Sequence, residues 1–252
     1  MHPHFNKRTL CALAALAAAW APAQADTSTS SASIEQFQFR LVDLDLNDGI
    51  APWITFGTDS RVVRSEGAGQ VDTRSEAGST SIATQSGSAG AMLSDSAVLA
   101  RSSVNHLPLD TANHAYGSRS SRVAEFVLSP NTELIFTGIG RIAQQLGVQF
   151  ALSEAEIKMS AHLLDADGSW SHQLNKNYAV RYGDGAATVN LYGSLMSDAQ
   201  QRRGAFSLDA ITILSGPVTS VPEPSTYAML LAGTFMLGAV ARRRKAAGAR
   251  AA

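Results

Sequence analysis

Asp43, Asp45, Asn47 and Asp48 place four oxygen-bearing side chains close together, with Gly49 immediately after them. Alternate carboxylates beside a glycine are how an EF-hand calcium loop begins. Counted from Asp43, however, the sixth position is Asp48 where that loop needs glycine, and the twelfth is Ile54 where it needs glutamate. An irregular surface calcium site and a turn whose Asp and Asn side chains bond their own backbone both remain. The turn is favoured, because these residue types favour turns in any case. Asp165-Ala166-Asp167-Gly168-Ser169 poses the same choice in weaker form.

Other chemistry finds little support. The only cysteine is Cys11, and the sequence holds no G-x-S-x-G elbow and no H-E-x-x-H pair. His106, His114, His162 and His172 are not at metal-ligand spacing. His162 reads as a solvated side chain on a strand face shared with Lys158 and Ser160. The expectation is therefore no catalytic residue, no cofactor and no enzyme. Trp53, Trp170, Tyr178, Tyr182 and Tyr192 have the flat faces and polar edges that stack on sugar rings. Trp53, set in an apolar alternation, is expected in the core, and Trp170, beside Asp167, Gly168 and His172, in an exposed loop.

The elements that must position these residues are mostly strands. Phe37, Phe39 and Leu41 alternate with polar neighbours, as do Ala124, Phe126 and Leu128, so each segment buries one face. Further strands are expected at 53–56, 133–137, 146–152, 157–163, 178–182, 188–192 and 206–214. Turns are expected at Asn47-Asp48-Gly49, Ser129-Pro130-Asn131, Asp167-Gly168 and Gly183-Asp184-Gly185. Ser153-Glu154-Ala155-Glu156 has capping-box spacing and could start a helix, but Ile157, Met159, Ala161 and Leu163 alternate cleanly and favour a strand. The Gly-, Ser- and Ala-rich stretch at about 65–103 reads as small flat edge strands or as a mobile insertion that buries little. Many short strands with this turn spacing predict an all-β, antiparallel β-sandwich-like body.

Signals flank that body. Lys7-Arg8, an apolar stretch from Leu10 to Ala21 and the small-x-small site Ala23-Gln24-Ala25 predict a signal peptide at 1–25, cut before Asp26 by signal peptidase of the secretion machinery. Cys11 leaves with it, so the exported chain has to hold its fold without disulfides. Over residues 26–221, 13 Lys and Arg stand against 20 Asp and Glu, a net charge of 13 − 20 = −7. That acidity argues against nucleic-acid partners.

At the other end, Pro222-Glu223-Pro224 is followed by an uncharged run from Thr226 to Ala241 and by Arg242-Arg243-Arg244-Lys245. The two prolines fix φ and withhold backbone donors, so this stretch is extended and can be gripped by an enzyme cleft. As a helix, 226–241 spans roughly 24 Å against a hydrocarbon core of about 30 Å, a marginal crossing that snorkelling of the basic cluster can complete. The basic cluster acts as a stop-transfer signal and keeps the C-terminus cytoplasmic. Everything before Pro222 is then expected on the far side of that membrane.

This order of elements resembles the PEP-CTERM tail of Gram-negative bacterial proteins, which an integral-membrane protease/transpeptidase, exosortase, handles. Leu41 to Pro52 and Phe126 to Leu134 are similar to an early segment and a middle strand-turn-strand of such proteins. The resemblance implies that exosortase recognises Pro222, Glu223 and Pro224 in a tail at 222–252. It further implies a secreted β-rich domain at 26–221, delivery to the cell surface or extracellular matrix, and an association with exopolysaccharide and biofilm. A secreted carbohydrate-active or other hydrolytic enzyme with the same tail is the alternative.

Overall fold

The computed structural model describes residues 27–105, 114–165, 167–216 and 232–234. The chain divides into two units, Met1–Val218 and Thr219–Ala252, and the second is described only over residues 232–234, which are helical. The signal peptide, its site at Ala23, Ala25 and Asp26, the Pro222-Glu223-Pro224 motif, most of 226–241 and the Arg242–Lys245 cluster lie outside the described residues. Among the described residues no helix is long and apolar enough to cross a membrane.

The first unit is built of antiparallel strands: β1 (Thr27–Asp43), β2 (Ile54–Gly67), β3 (Gln70–Arg74), β4 (Gly78–Thr84), β5 (Gly87–Leu93), β6 (Val98–Asn105), β7 (Tyr116–Leu128), β8 (Thr132–Gln145), β9 (Leu152–Leu164), β10 (Trp170–Arg181), β11 (Gly185–Met196) and β12 (Arg202–Ser215). They form two six-stranded sheets, ordered β11-β8-β1-β6-β5-β4 and β10-β9-β12-β7-β2-β3. The chain passes repeatedly between sheets, so Ser129-Pro130-Asn131 and Tyr182-Gly183-Asp184 are arches from one layer to the other and not hairpin loops. The strand register puts the start of β1 and the end of β12 at the same end of the sandwich.

Alternation of large residues behaves as expected in β7 and β9. Ala124, Phe126 and Leu128, and Ile157, Met159, Ala161 and Leu163, are all buried, and Ser153–Leu163 is strand, not helix. Residues 146–151 correct the sequence reading. Leu146, Val148 and Phe150 pack with Tyr116, Val104 and Leu214, yet this segment is an unpaired connection, because alternation reports burial of a face and not a ladder partner. The 65–103 stretch is strand throughout much of its length. Its β3 and β4 are sheet edges, whereas β5 and β6 are interior strands whose Ala89, Ala91, Leu93, Val98 and Ala100 are buried.

The interior has two textures. Towards the end where β1 leaves for β2, Phe37, Phe136 and Phe206 form a cluster with ring centroids 5.4–5.9 Å apart. Towards the opposite end the facing residues are small hydroxyls that bond across the layers. Ser65 Oγ meets Thr80 Oγ1 at 2.8 Å, Ser120 donates to the Met92 carbonyl at 2.7 Å, and Ser30 donates to the Glu154 carbonyl at 2.8 Å. Ser118 donates to the Arg101 carbonyl (2.9 Å), which uses its one hydrogen. Thr212 must then donate to Ser118 (2.8 Å) and Ser102 to Thr212 (2.7 Å), a directed chain through β6, β12, β7 and back to β6. Tyr116 closes this end. Its ring is so tightly held that a Cβ on Gly67 or Gly87 would lie 2.2 or 2.8 Å from it.

One lateral opening between the sheets is closed by ions. Asp59 accepts from Arg61 and Arg122, Arg61 also bonds Asp95, and the Arg122 guanidinium lies 5.5 Å from the Phe206 ring centre. Burial pushes the Asp59 pKa up, but the hydrogen bonds from Arg61 and Arg122 outweigh it and hold the carboxyl below its ordinary value.

Two outcomes are expected. Thr212→Val keeps the shape but strips Ser118 of its donor and Ser102 of its acceptor, and should cost about 1–3 kcal/mol in urea unfolding, with Thr212→Ser near wild type. Asp59→Asn should be less stable than wild type at pH 7. Because the folded carboxyl titrates below the unfolded one, its contribution is complete above about pH 4 and disappears as pH falls through the lowered value. The gap between the two urea midpoints should therefore close in acid.

Candidate functional site

The acidic turn after β1 is a set of self-bonded bends. Asp43 Oδ1 accepts from Asp45 N at 3.0 Å, Asp45 Oδ1 from Asn47 N at 3.1 Å, and Asp48 Oδ1 from Ile50 N at 2.7 Å. The other Asp48 oxygen accepts from Asn131 Nδ2 at 2.9 Å, and that bond, then the Ile50 amide, holds its carboxyl below the usual range. Among the described residues no three His, Cys, Asp or Glu are grouped to hold a metal ion. Asp167 accepts from Ser169 N at 2.9 Å in the same manner.

Asn131, at φ +48°, is the hub of this end of the sandwich. Its carbonyl accepts from Leu44 N (2.8 Å) and its N–H donates to the Asp198 carbonyl (2.7 Å). Beside it, Ser129 Oγ accepts from Trp53 N at 2.8 Å, and Ser197 Oγ accepts from Thr132 N at 2.9 Å and donates to the Ser129 carbonyl at 2.6 Å. The two segments singled out in the sequence, 41–52 and 126–134, are thus bonded to each other.

The aromatic residues do not converge. Trp53 was expected in the core but is 39% exposed, since it lies in the connection before β2, outside the ladder that would bury alternate residues. Trp170 is exposed as expected, at the first position of β10, and stacks on half-buried His162 with centroids 4.9 Å apart. Tyr182 follows the far end of β10, roughly 40 Å away at about 3.4 Å per residue. Tyr192 belongs to β11 in the other sheet, and Tyr178 packs against the core.

One concave feature is not announced by the sequence. A groove of about 340 Å³ crosses four strands of the first sheet on its outer face. Its floor is small (Ser31, Ser33, Ala143) and its charged walls are Arg101, Arg141 and Glu35. Glu35 accepts from Ser33 Oγ at 2.9 Å and is ion-paired with Arg141. The Ser33 bond, followed by Arg141, keeps its carboxyl below the ordinary value, so it is an ionised, occupied group. The contributing residues run from Ser31 to Thr188 in sequence, and no local spacing announces them.

Comparison with known proteins bears on the C-terminal unit. The family model described as the PEP-CTERM protein-sorting motif matches residues 220–245. The chain carries a PEP-CTERM motif. Such a motif implies export and exosortase-dependent sorting through a membrane-anchored signal. The PEP-CTERM match begins four residues after Gly216, the last described residue of the β-sandwich, and covers none of the described body. No curated protein and no solved structure matches the chain.

The turn bonds yield a test. If Asp43–Asp48 serve as self-bonded bends, the melting temperature should be nearly the same in chelator and in millimolar calcium, whereas a bound ion at a hundredfold excess over its Kd would add about 2.7 kcal/mol. Asn131→Ala, which cuts Asp48 loose and sets alanine at a left-handed φ, should lower the melting temperature by the same amount in either buffer.

Proposed function

We propose that this chain is a cell-surface or extracellular-matrix interaction protein. Its precursor is held in the inner membrane by residues 226–241, with the β-sandwich in the periplasm. Exosortase processes it at the Pro222-Glu223-Pro224 region, and the released body associates with exopolysaccharide in a biofilm. The observation that carries this reading is the sorting motif at 220–245, set directly behind a disulfide-free β body.

The body works by binding and not by catalysis. A general acid needs a carboxyl that holds its proton near neutral pH, and the carboxylate in the groove is biased the other way by Ser33 and Arg141. An open trough over a flat sheet face suits recognition of an extended partner. Delivery outside the cell also agrees with the net charge of −7 over residues 26–221, which favours a soluble, non-adhesive surface.

Two variants separate anchoring from recognition. Replacing Pro222-Glu223-Pro224 by three alanines should leave insertion intact and abolish maturation, so that full-length protein accumulates in the membrane fraction. Neutralising Arg242, Arg243, Arg244 and Lys245 removes charges that are costly to move across hydrocarbon, and should let unprocessed precursor escape the membrane. Immunoblots of membrane and extracellular fractions read both, and equal yields of mature protein from wild type and the alanine variant would overturn the recognition role.

A further inference from the structure

The outer face of the first sheet presents its groove residues in ordered rows. Arg101 on β6, Ser31 on β1, Ala143 on β8 and Ala186 on β11 lie side by side, and Leu99, Ser33, Arg141 and Thr188 form the next row. The two arginines are thus two strands and one row apart, roughly 12 Å between Cα atoms for strands about 4.8 Å apart and a rise of about 3.4 Å per residue. Between them the floor carries only methyl groups and hydroxyls, so a ligand can approach the sheet closely.

The two cations differ in their state. Arg141 is already paired with Glu35. Arg101, by contrast, has an exposed side chain that makes no hydrogen bond or ion pair among the described residues. With one anion and two cations the groove carries a single net positive charge on a body of net charge −7. Long-range repulsion from that body disfavours a dense polyanion such as nucleic acid. A chain of neutral, hydroxyl-rich units with well-spaced carboxylates meets no such barrier. Each carboxylate can take the two parallel N–H donors of a guanidinium, and the hydroxyls can bond Ser31 and Thr188 while ring C–H faces rest on Leu99 and Ala143.

From this geometry we infer that the groove is a binding site for a linear polysaccharide bearing carboxylates, of the uronic-acid type, with Arg101 as its open anchor and Arg141 as the second. The inference rests on the surface-protein reading above and names the partner chemistry for it.

The test uses the full-length chain in mild detergent and isothermal titration with a tetrasaccharide in which glucuronate alternates with neutral hexose, its methyl-esterified form serving as the same backbone without charge. Wild type should bind the acid form saturably, more weakly as salt rises, and the ester at least tenfold more weakly. Arg101→Ala should lower affinity about tenfold or more at a nearly unchanged melting temperature, because the side chain is exposed and reaches Glu35 only through space. Absence of saturable binding by wild type, equal binding of the ester, or unchanged affinity in Arg101→Ala each overturns the inference. The same variant, followed in cells, should be processed and displayed like wild type. Normal display without binding refutes the groove's ligand alone, whereas a wild-type chain that never leaves the cell refutes the surface reading whatever the titration shows.

Discussion

Hydroxyl groups buried between two sheets leave the chain no freedom over how those sheets meet. A serine or threonine taken out of water costs free energy unless its oxygen is bonded, and here the partners of Ser65, Ser102, Ser118, Ser120 and Ser30 include atoms of the facing sheet. The layers must therefore lie close and in a fixed register over that half of the body. Small residues permit such an approach, and Ala89, Ala91, Ala100 and Ser102 are buried in β5 and β6 beside Leu93, Val98 and Val104. Tyr116, seated against Gly67 and Gly87 and packed with Phe150 and Leu214, closes this end.

The aromatic half obeys a looser rule, since apolar contact has no direction. Precision at that end comes instead from the Asn131 hub. Its backbone and side chain bind segments that follow β1 and β11, and Ser129 binds the residue that precedes β2. The acidic residues at 43–48 supply structure here, because a carboxylate that accepts from the amide two residues on shapes the bend, and Asp48 then ties that bend to Asn131.

What could be read from the sequence follows from these two textures. Strands such as 124–128 and 157–163 announce themselves because their buried positions hold large apolar residues. The first half of β1 and all of β3 to β6 do not, since a strand that alternates serine with alanine is indistinguishable by hydropathy from a flexible polar tract. Leu146, Val148 and Phe150 mislead in the opposite sense, facing inward in alternation without being part of a strand. The sorting tail was legible because its chemistry is contiguous: a stiff motif, an apolar run and a basic cluster in fixed order. The groove was not, because Arg101, Arg141 and Glu35 meet only after β6, β1 and β8 have been laid side by side.

β12 leads directly into the C-terminal unit, and it is an interior strand, bonded along almost its whole length to β7 on one side and β9 on the other. A pull applied beyond Ser215 acts along that strand, perpendicular to the hydrogen bonds of both ladders. Such a load shears the two rows together instead of peeling one bond at a time. The Ser102–Thr212–Ser118 chain adds a rivet to the opposite sheet from near the C-terminal end of the same strand. A body held by this end and dragged by flow would thus meet the tension with a strand bonded on both sides.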